Sequence, residues 1–565
     1  MTRSRFLAAT ALVLAAAPLA AAPTFSTQRL SQHVQTLGSD AFEGRAPATN
    51  GETKTVAYLQ DQFAKAGLQP GGDVVGGQRS WTQAVPLLRA EFTGDPVVTV
   101  QTPAGALPLA QGADIAVRAP QNGQNQIRLA NAPLLFVGYG VSAPERNWDD
   151  FKGVDVRGKV IVLLINDPDF DGGEGDFGGK AMTYYGRWTY KYAEAARRGA
   201  AGVMIVHETD PASYGWATVK NSNTNTQFDI VRQDPAASHT PFETWIQRDV
   251  AVKLFRAAGL DFEQAKAAAK LRNFQPIDLK STVSATGNAN VSTITSHNVV
   301  GLLPGKKYPD ETVIYTAHWD HLGVGLPDAK GDRIYNGAID NGTGLAELIE
   351  LGRAFASGPR PDRSVVFMAV TAEEKGLLGS EYYATHPLYP LGKTAGVINM
   401  DVLGVLGPAR DFSVRGNQKF GLLDILVEEG AKRGRRFTPD PHPETGGFFR
   451  SDHFTVAKTG VPALSFTPGQ DLVNGGVPRA AAWSKNYITT MYHQPADQFS
   501  PNWDFSGMAD DAQLLFAVGQ RLANSRDWPN WSPESEFRAA RDRSAGERGG
   551  SVTPPPAAPK KGERG

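Results

Sequence analysis

Five short strings in the second half of the chain carry side chains that bind divalent cations or move protons: His318-Trp319-Asp320, Asp340-Asn341-Gly342, Glu373-Glu374, Asp401 and His493. The 565 residues include no cysteine, which excludes disulfides, thiol nucleophiles and thiolate metal sites and leaves His, Asp and Glu as the available ligands. A pair of adjacent divalent cations needs imidazole or carboxylate ligands at each position, one shared carboxylate, and an open side where water and substrate meet. If Asp340 is the shared group, His318 and Asp401 complete one position, and Glu374 and His493 complete the other. Glu373 is then left beside them to take a proton from water and return it to a leaving group. His318 and Asp320 are two residues apart, so on an extended strand they share a face, and Asp320 can accept the second ring hydrogen of His318. Taken singly, each string has an ordinary reading as a surface pair, a helix start or a turn. Their order, and their position at the ends of elements, is what points to chemistry.

The elements that must position these strings alternate. Apolar runs Val313–Ala317, Ser364–Val370, Gly396–Met400 and Ala463–Phe466 read as strands. Between and after them, Thr343–Ala356, Leu377–Ala384, Phe420–Ala431 and Ala509–Asn524 read as helices. This rhythm predicts an α/β fold with a mixed, mostly parallel sheet flanked by helices. The first strand runs into His318, the second into Glu373-Glu374 and the third into Asp401, which is where open α/β sheets bind ligands, beyond the carboxyl ends of their strands. Two further helices, Thr27–Leu37 and Thr53–Ala66, precede this region.

The composition bounds the rest. At 41% hydrophobic residues the chain has material for several cores, and a formal charge of −1 leaves no basic excess to hold nucleic acid or an acidic membrane surface. Arg3 and Arg5, the apolar run Phe6–Leu19 and Ala20-Ala21-Ala22 have the layout of an export signal over 1–22, so the protein is expected in a periplasm or outside the cell, with no integral membrane segment in the mature chain. Between about residues 87 and 282 the texture changes to short strands and turns around a β-α-β unit, with a helix at Tyr190–Arg198. The acidic, glycine-rich stretch Asp167–Gly179 reads as a solvated loop. Residues 541–565 read as too polar to fold, and His297, His321, His386, His442 and His453 as structural or surface histidines.

The strings Ala317–Gly323, Gly337–Gly344, Thr371–Ser380, Asn399–Asp401 and Tyr492–Asp497 together resemble the co-catalytic di-zinc aminopeptidases, in the subgroup with an inserted protease-associated domain. The resemblance implies a discontinuous peptidase domain over 24–86 and 283–527, interrupted by a protease-associated insert over 87–282. It implies the ligand set reached above, His318, Asp340, Glu374, Asp401 and His493, around two zinc ions, with manganese or cobalt as substitutes. It also implies Glu373 as general base, Asp320 orienting His318, and a cis peptide at Asp340-Asn341. Tyr492 resembles a residue that steadies the oxyanion, and Arg450 lies in a string, Arg450–His453, that resembles a loop near the bound peptide. The expected substrates are peptides with a free amino terminus. A carboxypeptidase, a single-zinc glutaminyl cyclase and a receptor-like protein without catalysis are the alternative readings, and oligomeric state is not legible in the sequence.

Overall fold

The computed structural model of the chain describes residues 23–173 and 175–548. The expected export signal, 1–22, and residues 549–565 of the expected tail lie outside the described residues.

Four strands, Arg363–Val370, Tyr308–His318, Thr394–Met400 and Ala463–Pro468, lie side by side in that order and pair in parallel. Every residue of Arg363–Val370 and Thr394–Met400 is buried, which is why these strands read as continuous apolar runs instead of alternating ones. The sheet is mixed: the end of a 27-residue strand, Ile277–Leu303, adds antiparallel on one side and Asp411–Val414 adds antiparallel on the other. Helices Thr27–Leu37, Gly342–Ser357 and Ser506–Asn524 pack on one another, the last two also on the sheet, and share one core with it. Among the described residues, no helix is long and apolar enough to cross a membrane.

A second, β-rich lobe has cores of its own. Its strands Gln126–Phe136, Val160–Leu164, Gly202–His207 and Glu243–Gln247 pair in parallel, and helix Trp188–Arg197 connects the second to the third. The long strand Ile277–Leu303 begins in this lobe and ends in the other, paired along residues 289–299 with Thr82–Phe92. Leu87 lies inside that antiparallel ribbon, and Thr282 lies in the half of the long strand that pairs with Gln101 in the β-rich lobe. A small apolar cluster, Val85, Leu87, Phe228, Ala372 and Leu378, seals the junction.

Two expectations change. Residues 538–543 are helical, and Arg541, read as the start of an unfolded tail, is buried with its guanidinium donating to the Thr394 carbonyl at 3.0 Å. Composition missed this because arginine packs its stem and only its head behaves as polar. In the acidic stretch, Asp167 and Asp169 are turned inward, accepting backbone N–H groups of Thr183, Phe177 and Gly179.

One buried cation ties the early helices to the strand ends. Arg45 is fully buried and donates to the main-chain carbonyls of Leu37, Trp319, Asn336 and Gly337 at 2.6–2.8 Å, with Asp340 at 3.4 Å. Burial lowers its pKa, to about 10, well above neutrality, so the charge persists and the loops after His318 and before Asp340 are fixed around it. Arg45→Met leaves these acceptors without a donor in a dry site, and the expected loss is about 3 kcal/mol or more. Chemical denaturation with and without the substitution measures it; a change below about 1 kcal/mol would refute the anchoring role.

Candidate metal centre

The strand ends bring the five expected ligands to one place. His318, the last residue of its strand, points Nε2 at Asp340 Oδ1 (3.2 Å) and Asp401 Oδ1 (3.3 Å). His493 points Nε2 at Asp340 Oδ2 (3.4 Å) and Glu374 Oε2 (2.9 Å). The two oxygens of Asp340 therefore face two different sets, each an imidazole and a carboxylate. Bonds of 2.0–2.1 Å in a tetrahedron put neighbouring donor atoms about 3.3 Å apart, so three of these four separations suit a divalent cation between the donors and the fourth is somewhat short. The donor set, imidazole nitrogen and carboxylate oxygen without sulfur, suits zinc and accepts manganese or cobalt.

The backbone at each ligand is constrained. Asn341 caps helix Gly342–Ser357 by accepting from the Gly344 N–H (2.9 Å), and its amide donates to the Met400 carbonyl (3.0 Å), joining the Asp340 turn to the Asp401 strand. The peptide between Asp340 and Asn341 is cis. Asp497 accepts the N–H groups of Ile339 and Asp340, both at 3.0 Å, and so fixes the backbone turn that carries Asp340. Ala372, Val402 and His493 take left-handed φ values of 53°, 59° and 56°, directly before Glu373, directly after Asp401 and at a ligand itself. Such non-glycine residues concentrate at functional sites, where surrounding structure enforces them.

Burial and mutual charge set the protonation tendencies. Burial pulls the imidazoles down, but Glu373, Asp340 and Asp401 hold His318 well above its usual range, and Glu374 and Asp340 hold His493 up at about 9. Asp340 lies well below the carboxylate range because the imidazoles outweigh its burial. The Glu373 carboxyl is pushed well above its usual range, first by burial, with His318 opposing and Asp401, Asp452 and Glu374 adding.

Asp320 sits differently from the expectation. The chain turns after His318, so the same-face rule for strands no longer applies. His318 Nδ1 meets the Asp320 main-chain carbonyl at 3.1 Å, while the carboxylate is 3.8 Å away. That carboxylate instead accepts the N–H groups of Glu373 (3.0 Å) and Glu374 (3.3 Å), so Asp320 positions the Glu373-Glu374 turn. His321 is a second correction: read as structural or surface, it is buried with Nδ1 2.6 Å from Glu374 Oε1, and with Asp340 and Glu374 it forms a second cluster able to hold a cation. The other four histidines stay outside the cluster.

Two residues that the sequence did not suggest come from the β-rich lobe. At the end of helix Trp216–Asn223, Ser222 Oγ lies 2.8 Å from His493 Nδ1, and Asn221 donates to the His493 carbonyl at 3.0 Å. Neither residue type at that position carries a readable signal.

Two cavities meet at the cluster. One, of about 620 Å³, reaches Asp340 and Asp401 and has apolar walls that include Leu403, Val405, Trp483 and Ile488. The other, of about 300 Å³, lies between the lobes, with Glu374 and Lys375 on one side and Arg187 and Tyr214 on the other. Glu373, Arg450, Tyr492 and His493 border both. The Tyr492 ring lies 4.0 Å from that of His493, and burial keeps its hydroxyl protonated and therefore a donor. Arg450 donates to the Ala212 carbonyl (2.9 Å) and Ser213 Oγ (2.7 Å), so it binds the β-rich lobe while facing both cavities.

An α/β sheet with imidazoles and carboxylates converging beyond its strand ends is the layout of a metal-dependent hydrolase. Residues 298–517 match the model of peptidase family M28. A segment is 34% identical to aminopeptidase YwaD of Bacillus subtilis, covering 31% of this chain and 36% of that protein. Another is 36% identical to a probable zinc metalloprotease of Pyricularia oryzae, covering 19% and 21%. The chain thus aligns with about a fifth to a third of the length of these curated relatives. An aminopeptidase structure from Aneurinibacillus sp. strain AM-1 shares the fold at a TM-score of 0.51 and 18% identity, over 88% of this chain and 94% of that one.

Ser222→Ala removes the partner of the His493 ring. The expected result is roughly tenfold or greater weakening of metal binding. Competition with a chromogenic chelator measures it, and unchanged metal affinity would refute the orienting role.

Proposed function

We propose that the protein is a two-metal aminopeptidase that removes the first residue of peptides, with zinc as its metal and the β-rich lobe as a protease-associated insert. The observation that carries this reading is Asp340, whose two oxygens each face a separate imidazole and carboxylate. His318 and Asp401 would hold one cation with Asp340, and Glu374 and His493 the other. When bound, the cation pair would polarise the scissile carbonyl and make water a nucleophile at neutral pH.

The chain's own residues do the rest. Glu373 borders both cavities, so it can take the proton from the attacking water and deliver it to the nitrogen of the departing residue as the carbon–nitrogen bond breaks. The N–H groups bound by Asp320 fix the turn that carries Glu373. Tyr492 donates to the carbonyl oxygen as negative charge develops there. The apolar cavity beside Asp340 and Asp401 takes the first side chain and favours an apolar one. The amino-terminal signal would send the mature protein to the periplasm or beyond.

The deciding experiment combines elemental analysis with mass spectrometry of peptide products: two metals per chain and one-residue trimming from the amino end are expected. One metal per chain would favour the cyclase reading, and cleavage of peptides with blocked amines the carboxypeptidase reading. Glu373→Ala is expected to keep both metals and lose turnover by about a hundredfold or more, whereas Asp340→Ala loses metal. A Glu373→Ala protein as active as the parent on an aminoacyl-anilide would remove Glu373 from its role.

A further inference from the structure

Arg187, at the start of helix Trp188–Arg197, is 8% exposed and borders the cavity between the lobes. Its guanidinium has no ion pair and no side-chain hydrogen bond among the described residues, and its Nε is buried without a partner. The cations around it differ. Arg118 sits 3.6 Å from Glu243, and Arg232 is paired with Asp229. Arg450 donates to the neutral oxygens of Ala212 and Ser213 and lies over the Tyr214 ring at 5.1 Å, with no carboxylate paired to it, and its Nε also lacks a hydrogen-bond partner. Lys375 reaches only Asn225 Oδ1 (2.7 Å) and the Ser222 carbonyl (3.4 Å).

A buried guanidinium without a counter-charge is costly, and folded proteins keep one where a ligand supplies the missing anion. Here burial pulls Arg187 down to about 10 and the nearby Arg450 adds to the cost, opposed only in part by Tyr214, Tyr492 and Glu373. Arg187 remains charged at neutral pH. Planar guanidinium groups match a carboxylate through paired N–H donors. The position is also specific: the cavity that holds Arg187 reaches the cluster at Glu374, and the apolar cavity that takes the first side chain reaches it at Asp340 and Asp401. A substrate whose first side chain fills the apolar cavity sends its departing residue towards Arg187, and the carboxylate of that residue lies within about one residue length, ~3.5 Å, of the cleaved bond.

We infer that Arg187 and Arg450 form a subsite for a carboxylate on the residue that follows the cleaved bond, so that the enzyme prefers short peptides whose second residue is also the last. The inference rests on the proposed amino-terminal cleavage. The same chemistry would accept an aspartate or glutamate side chain at the second position, and the assay separates the two sources. A cavity of about 300 Å³ accommodates one departing residue.

The test compares hydrolysis of Leu-Leu, Leu-Leu-amide and Leu-Glu-amide by the metal-loaded protein, with N-acetyl-Leu-Leu as the blocked control. The free acid is expected to exceed its amide roughly tenfold or more in kcat/KM, carried mainly by KM. In Arg187→Gln that ratio should fall to within about twofold, and Arg187→Lys should recover part of it. If Leu-Glu-amide matches Leu-Leu, the subsite reads any carboxylate; if it behaves as Leu-Leu-amide, the subsite reads the terminal one. Equal rates for Leu-Leu and both amides in the parent protein would overturn the subsite while leaving amino-terminal cleavage intact. Hydrolysis of N-acetyl-Leu-Leu as fast as Leu-Leu, with the preference for Leu-Leu over its amide intact, would overturn the amino-terminal reading and leave the subsite standing.

Discussion

Seven carboxylates with buried side chains crowd one region of this molecule: Asp320, Asp340, Glu373, Glu374, Asp401, Asp452 and Asp497. Their mutual repulsion in a poorly solvated interior is the constraint around which the strand ends are built. Most are answered locally. Asp320 and Asp497 accept backbone N–H groups, Asp452 accepts the Ser380 hydroxyl at 2.6 Å, and Asp340 and Glu374 face imidazoles. Arg45 adds a permanent positive charge beneath them. Burial nevertheless pushes Asp320, Asp452 and Asp497 up to about 7, so these answers fall short of full compensation. On the proposed reading a pair of dications completes such a set, and the negative excess is what gives the site its affinity for them.

How far the sequence exposed this site follows from sheet geometry. Parallel strands deliver their carboxyl ends to one edge, so residues dozens of positions apart meet without any long-range information, and His318, Glu373-Glu374 and Asp401 could be placed by finding strands alone. Asp340 and His493 come from turns, and their place in the set came from ligand chemistry. His321 escaped because the strand had already ended: the alternation that separates the faces of a strand does not describe the turn that swings its ring onto Glu374. Asp320 misled for the same reason. Arg45 was invisible because a lone arginine in a loop is ordinarily a solvated one, and its five carbonyl partners come from three separate segments, a helix end and two loops.

The fold was legible where burial is complete and illegible where it is partial. Arg363–Val370 is buried on both faces and reads as a strand at once. The strand Ile277–Leu303 alternates buried and exposed residues with small polar ones, Ser281, Thr286, Asn290 and Ser292, and carries its sheet on one side of a two-lobed body, so its apolar signal is diluted below recognition. This strand is the mechanical link of the molecule, a single rod shared by both sheets.

That link changes what the β-rich lobe can be. A lobe attached by flexible linkers would only screen the entrance, but this one is continuous with the sheet through the Thr82–Phe92 ribbon and touches the cluster chemically. Ser222 meets the His493 ring, Asn225 takes the Lys375 amine next to Glu374, Ser213 takes Arg450, and Arg232 reaches Glu381 at 3.2 Å. Whatever binds beside His493 therefore stabilises the docked position of the lobe, and by linkage the docked lobe strengthens that binding by the same free energy. The β-rich lobe is thus part of the walls and supports of the site, and a chain truncated to its α/β half would lack both Ser222 behind His493 and Arg187 in the cavity.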